Sequence, residues 1–191
     1  MSGESVPSAV VIGVSAGAFD ALSTILPELP AGFPCAVLVV VHLPPDRKSL
    51  MASLFASRCA LEVKEAEDKE MLRAATIYFA PPDYHLLVEP DFSLSLSSDE
   101  PVLYSRPSID VLFESAADAY GDDLVAVVLT GANHDGARGL RTVCDAGGRA
   151  LVQSPDSAEE PTMPRAALAA CPEALSLPLA EIAVALKNLS R

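Results

Sequence analysis

Ala9-Val10-Val11-Ile12-Gly13-Val14-Ser15-Ala16-Gly17-Ala18-Phe19-Asp20-Ala21-Leu22 decides how the chain is read. Val10, Val11 and Ile12 form a short apolar run rich in β-branched side chains, as in a strand buried on both faces. Gly13 and Gly17 permit a tight turn that a Cβ would resist. From Phe19 the spacing becomes helical, with Leu22, Ile25 and Leu26 on one face. Ser15 is therefore expected at the tip of a strand-to-helix turn, facing the unpaired N–H groups and positive dipole end of the helix. Three readings are open for this turn. It is a structural turn capped by Ser15, a phosphate-binding turn of a dinucleotide domain, or a nucleophile turn of the form G-x-S-x-G. The dinucleotide fingerprint wants glycine at position 15 and an acidic residue ending the next strand, where His42 stands.

The chain has 191 residues, half of them hydrophobic, and a net charge of −13. That length suits one domain, 1–191, burying about 70% of its unfolded surface. The negative charge repels nucleic acid and anionic membranes, so neither is an expected partner. The apolar run 36–41 is too short to span a bilayer, and residues 1–8 lack the pattern of a secretory signal. A cytoplasmic location is expected by default. Cys35, Cys59, Cys144 and Cys171 have no metal-ligand spacing, so no metal is expected, and all four are expected to be reduced.

Further strands are expected at 35–41, 62–65, 76–79, 124–129 and 150–153, and an antiparallel hairpin at 86–89 and 92–96. Helices are expected at 47–58 with Leu50, Leu54 and Phe55 inward, from 105–110 to about 120, at 138–146 and at 180–189. The rest of the proline-rich segment after Gln153 reads as loop with short helices. The alternation predicts a three-layer α/β/α sandwich, a doubly wound and mostly parallel sheet with a small antiparallel hairpin. Parallel strands place their C-terminal ends on one edge, where such sheets bind ligands. Ser15, His42, Tyr84, His85 and Asp135 all follow strand ends, so distance along the chain does not prevent their meeting. A serine nucleophile needs a base within reach, and the base needs a partner that fixes its tautomer. His42, ending a central strand, and Asp135, in the loop 130–137, are the candidates; an Asp there could equally cap the following helix.

In order along the chain, these segments resemble the CheB-type catalytic domain of chemotaxis protein-glutamate methylesterases. The matching segments are Ile12-Gly13-Val14-Ser15-Ala16-Gly17, Val39-Val40-Val41-His42-Leu43-Pro44, Tyr78-Phe79-Ala80-Pro81-Pro82, Ser105-Arg106-Pro107-Ser108-Ile109-Asp110 and the stretch from Leu129 to Leu140 around Thr130-Gly131-Ala132-Asn133-His134-Asp135. The resemblance implies Ser15 as nucleophile, His42 as general base, Asp135 as orienting carboxylate and no cofactor. It implies hydrolysis of glutamate methyl esters on methyl-accepting chemoreceptors, and family members also deamidate glutamines there. Backbone N–H groups of Ala16 and Ala132 are candidates for the oxyanion hole, and Tyr84, His85 and Arg106 for substrate contacts. Ala16 and Ala18 replace the threonine and second glycine of the family's frequent Ser-Thr-Gly-Gly turn, and Ala132-Asn133 replaces Met-Gly. Many relatives carry an N-terminal phosphorylation-receiver domain. Here the nucleophile strand begins within the first dozen residues, so a stand-alone esterase is expected, unregulated or controlled by a partner in trans.

Other activities are weighed against this one. An ordinary α/β-hydrolase orders its triad Ser, acid, His, and no histidine follows His134. A non-catalytic adaptor docking on receptor helices is the alternative from another class. Receptor methylation regions are glutamate-rich, so docking by an acidic protein calls for a local basic surface, for which Arg47, Lys48, Arg58, Arg106 and Arg138 are candidates.

Overall fold

The computed structural model describes residues 9–42 and 50–190, and the architecture follows from its apolar runs. β1 (Ala9–Val14), β2 (Ala36–Val41) and β7 (Leu124–Val128) are buried at every position. They are the inner strands, as continuous apolar runs require. With β3 (Glu62–Glu65), β4 (Thr76–Phe79), β8 (Arg149–Gln153) and β9 (Leu175–Leu177) they make a seven-stranded sheet in the order β3-β4-β2-β1-β7-β8-β9. Every pairing in it is parallel. β5 (His85–Val88) and β6 (Leu94–Ser97) form the separate antiparallel hairpin.

Alternation along each strand divides the core in two. Val11 and Leu38 face α3 (Ile109–Tyr120), α4 (Ala137–Asp145) and α5 (Thr162–Ala170), with the hairpin's Leu86 and Leu94 packed on the same side. Ile12 and Val39 face α1 (Ala18–Ile25), α2 (Met51–Ala56) and α6 (Leu179–Lys187). Full burial of one such side chain contributes about 1.5–3 kcal/mol. The expected three-layer sandwich is the observed one. Among the described residues, no helix is long and apolar enough to cross a membrane.

Four expectations need correction. Leu50 and Leu54 are exposed, and the inward stripe of α2 is Met51 and Phe55. Phe55 sits 5.8 Å from the Phe19 ring and 5.9 Å from that of Phe79, which selects its face over the leucines. The part of the expected 47–58 helix before Leu50 lies outside the described residues. Gly13 is a strand residue, whose missing side chain admits Ile109 of α3, and only Gly17 turns the chain, at φ +80°. β9 falls in a segment read as loop. Finally, Cys144 and Cys171 form a disulfide between the C-terminal ends of α4 and α5, and Cys171 is fully buried. Cys35 and Cys59 are free thiols, and burial pushes both up, Cys35 to about 11.

The sheet winds outward in both directions from β1, toward β2 on one side and β7 on the other. The crevice beyond the C-terminal ends of β1 and β7 is thus the topological switch point, where open α/β sheets bind ligands.

Candidate active site

Ser15 directly follows β1 at this switch point. Its backbone N–H donates to Thr130 O at 2.9 Å, so the chain leaving β1 is tied to the chain leaving β7. Gly131 lies against Ser15 and Met163, and a Cβ there would crowd both. The turn at Gly17 brings the Ala18 N–H back to Ser15 O at 3.1 Å, and α1 begins at once. His42 directly follows β2, the strand beside β1. Val14 and Val41 are register partners, and the His42 N–H donates to Val14 O at 3.1 Å. Ser15 and His42 therefore occupy equivalent positions on neighbouring parallel strands, which lie about 4.8 Å apart.

Asp135 lies at the end of the loop after β7 and is fully buried. Its Oδ2 contacts His42 Nε2 at 2.7 Å and accepts the Ile109 N–H at 2.6 Å. Its Oδ1 accepts the Ser108 hydroxyl at 2.8 Å and the Asp110 N–H at 2.9 Å. Burial alone would raise this carboxyl. The His42 hydrogen bond and the N–H groups of Asp110 and Ile109 outweigh it, holding Asp135 below the usual carboxylate range. The hydroxyl of Ser108 does not cap its own helix. Asp135 caps α3 from another part of the chain, and the positive end of α3 in turn favours its charge.

Asp110 returns the arrangement. Its Oδ1 accepts the N–H groups of Gly136 at 3.0 Å and Gly139 at 2.7 Å, capping α4. Burial pushes Asp110 up, the Gly139 N–H opposes the rise, and the neighbouring Asp135 charge adds to it. Asn133 completes the cluster. Its Nδ2 lies 3.2 Å from His42 Nδ1, and its Oδ1 accepts the Asp135 N–H at 3.0 Å.

Not every expected site residue is at this cluster. His85 is buried, with Nδ1 accepting the Ser108 N–H at 3.1 Å and Nε2 3.0 Å from Glu100 O. It holds the approach to α3 and presents no surface to a ligand. Arg106 is committed to Asp83 at 2.6 Å and to the carbonyls of Ser98 and Asp99. Tyr84 is half exposed. Ala132 is exposed and Ala16 partly exposed, and neither backbone N–H donates to an acceptor among the described residues. Of the candidate docking cations, Arg138 pairs with Glu114 at 2.6 Å and Arg58 lies over the Phe19 ring. Arg47 and Lys48 fall outside the described residues.

The sequence does not mark Ser108, Asp110 or Asn133 as site residues. The first two stand in the segment 105–110, but a helix-start reading gives no hint that the cap comes from Asp135. A mostly apolar cavity of about 370 Å³ opens at the opposite ends of β7 and β8 around Val125, Leu151 and Leu186, away from the polar cluster.

The chain matches the family model described as CheB methylesterase over residues 10–186. It is 46% identical to a putative protein-glutamate methylesterase/protein-glutamine glutaminase of Leptospira interrogans, covering 92% of this chain and 91% of that protein. A protein-glutamate methylesterase/protein-glutamine glutaminase of Archaeoglobus fulgidus is 38% identical over 83% of this chain, which spans only 46% of that longer relative. The fold superimposes on the crystal structure of the Thermotoga maritima CheB methylesterase catalytic domain with a TM-score of 0.91 at 32% identity, covering 96% of this chain and 99% of that one. The chain belongs to the CheB methylesterase family.

Proposed function

We propose that the protein hydrolyses methyl esters of glutamate side chains on chemoreceptors in the cytoplasm, with Ser15 as nucleophile, His42 as general base and Asp135 as the carboxylate that orients it. The observation that carries this reading is the 2.7 Å contact between His42 Nε2 and the buried Asp135, on the strand end beside Ser15. A serine hydroxyl is a weak nucleophile until a positioned base removes its proton. Nε2 is committed to Asp135, so Nδ1 is the nitrogen that serves as base.

Ser15 Oγ attacks the ester carbonyl while its proton passes to His42 Nδ1. The tetrahedral oxyanion collapses, the carbon–oxygen bond to the methoxy group breaks, and His42 returns the proton so that methanol leaves. Water then attacks the glutamyl-enzyme, again giving a proton to His42, and the free carboxyl group and Ser15 are released. A glutamine side chain enters the same sequence with ammonia as leaving group. The N–H groups of Ala16 and Ala132 are suited to the oxyanion because no acceptor among the described residues takes them up. Loss of one such donor typically costs about 3–4 kcal/mol of barrier.

Methanol release from methyl-labelled receptor tests the reading. Wild-type protein is expected to release it, and Ser15→Ala to lose activity by orders of magnitude. Equal release by the two would exclude Ser15 as nucleophile. No release by wild type, together with retained receptor binding, would favour the adaptor.

A further inference from the structure

Asn133 joins two groups that the proposed mechanism uses. Its Oδ1 lies 3.0 Å from the Asp135 backbone nitrogen, and its Nδ2 lies 3.2 Å from His42 Nδ1. A backbone N–H can only donate, so the amide oxygen must be the atom facing Asp135. The amide nitrogen that is left facing the imidazole can also only donate. His42 Nδ1 is therefore an acceptor, and the ring proton is on Nε2, where Asp135 Oδ2 receives it. A neutral imidazole has one in-plane lone pair to offer. In the resting site Asn133 has taken it. Consistently, the Ser15 hydroxyl has no hydrogen bond to His42 among the described residues.

We infer that Asn133 is a positioning residue that caps the Nδ1 lone pair of His42 and must be displaced before Ser15 can pass its proton to the base. This rests on the roles given above to Ser15 and His42. Asp135 alone keeps the proton on Nε2, so the tautomer does not depend on Asn133. What Asn133 adds is a competitor to the serine. Once Nδ1 is protonated, its N–H points at an amide nitrogen with no acceptor to give, so the side chain has to turn away as the imidazolium forms. The contact is long for an N–H donor and partly buried, so the brake is modest. A net hydrogen bond of this kind corresponds to a factor of roughly two to ten.

Serine reactivity reads this without any receptor. A fluorophosphonate forms an oxygen–phosphorus bond at an activated serine, fluoride leaves, and the hydroxyl proton passes to the base. Labelling of Ser15, located by mass spectrometry, should be roughly two- to tenfold faster in Asn133→Ser and Asn133→Ala than in wild type. Serine retains an oxygen able to accept the N–H two residues on and is too short to reach His42, so Asn133→Ser keeps the loop while removing the cap. Imidazole ¹⁵N spectra should place the proton on Nε2 in wild type and in Asn133→Ser, with the Nδ1 resonance shifted in the variant because the amide donor of Asn133 is gone. Labelling no faster in Asn133→Ser than in wild type overturns the inference, as does a wild-type ring protonated on Nδ1. Absence of Ser15 labelling in every form overturns it together with the nucleophile assignment, whereas labelling that ignores Asn133 overturns it alone.

Discussion

Asp110 and Asp135 cap each other's helices: the Asp135 carboxylate receives the Asp110 N–H at 2.9 Å, and the Asp110 carboxylate receives the Gly136 N–H, next to Asp135, at 3.0 Å. The two charges differ in what they contribute. Asp135 is held low by its donors, so its contribution is present above the ordinary value of 3.8 and is lost as pH falls through its depressed value. Asp110 is pushed up by burial, so its contribution is present below 3.8 and is lost as pH rises through its raised value. Urea denaturation between pH 3 and 7 should show this as opposite trends. The stability advantage of wild type over Asp135→Asn should shrink as the pH falls, and its advantage over Asp110→Asn should shrink as the pH rises. Parallel curves for the three proteins would contradict the assignment.

Gly13 links the sheet to the site through packing. A Cβ added there would overlap the side chain of Ile109, whose N–H donates to Asp135 Oδ2 at 2.6 Å. Overpacking of a filled core typically costs about 1–3 kcal/mol. Gly13→Ala is therefore expected to lose stability of that order, and to lower kcat more than it raises KM because Ile109 carries Asp135 with it. Chemical denaturation beside steady-state kinetics checks both halves. A variant as stable and active as wild type would show that α3 has room to move.

The Cys144–Cys171 disulfide closes a loop across 27 residues between the ends of α4 and α5. Chain-entropy reasoning gives such a crosslink roughly 3–4 kcal/mol. Reduction, or Cys144→Ser, should lower the thermal midpoint by a corresponding amount. Thiol titration of the denatured, unreduced protein should find two free thiols, those of Cys35 and Cys59. Four thiols and an unchanged midpoint under reductant would contradict the crosslink.

Much of this fold is legible because the inner strands are short, continuous apolar runs rich in β-branched residues, which suit buried parallel strands. Ser15, His42 and Asp135 are legible for a related reason, since each follows one of those strands and the parallel direction carries them to one edge. β9 is not legible: it has three residues between Pro172 and Pro178 and lies at the sheet margin. α2 offers two stripes at the same spacing, and only the tertiary contacts of Phe55 choose between them. The disulfide was hidden because two cysteines in different helices carry no local sign of meeting. His85 illustrates the opposite error, in which a histidine expected in a loop after a strand end proves to open β5 as a buried strut between Ser108 and Glu100. The cap on His42 depends on which atom of the Asn133 amide faces Asp135, and only coordinates supply that.

The central claim is that Ser15, His42 and Asp135 act as one unit, and a mutant cycle on receptor demethylation tests it most directly. Residues that act together give losses that do not add, because removing the nucleophile leaves nothing for its base to activate. Ser15→Ala and Ser15→Ala/Asp135→Asn are expected to retain the same residual rate, with Asp135→Asn alone well below wild type. A double variant whose loss equals the sum of the two single losses in free energy would contradict the unit, and with it the proposed mechanism.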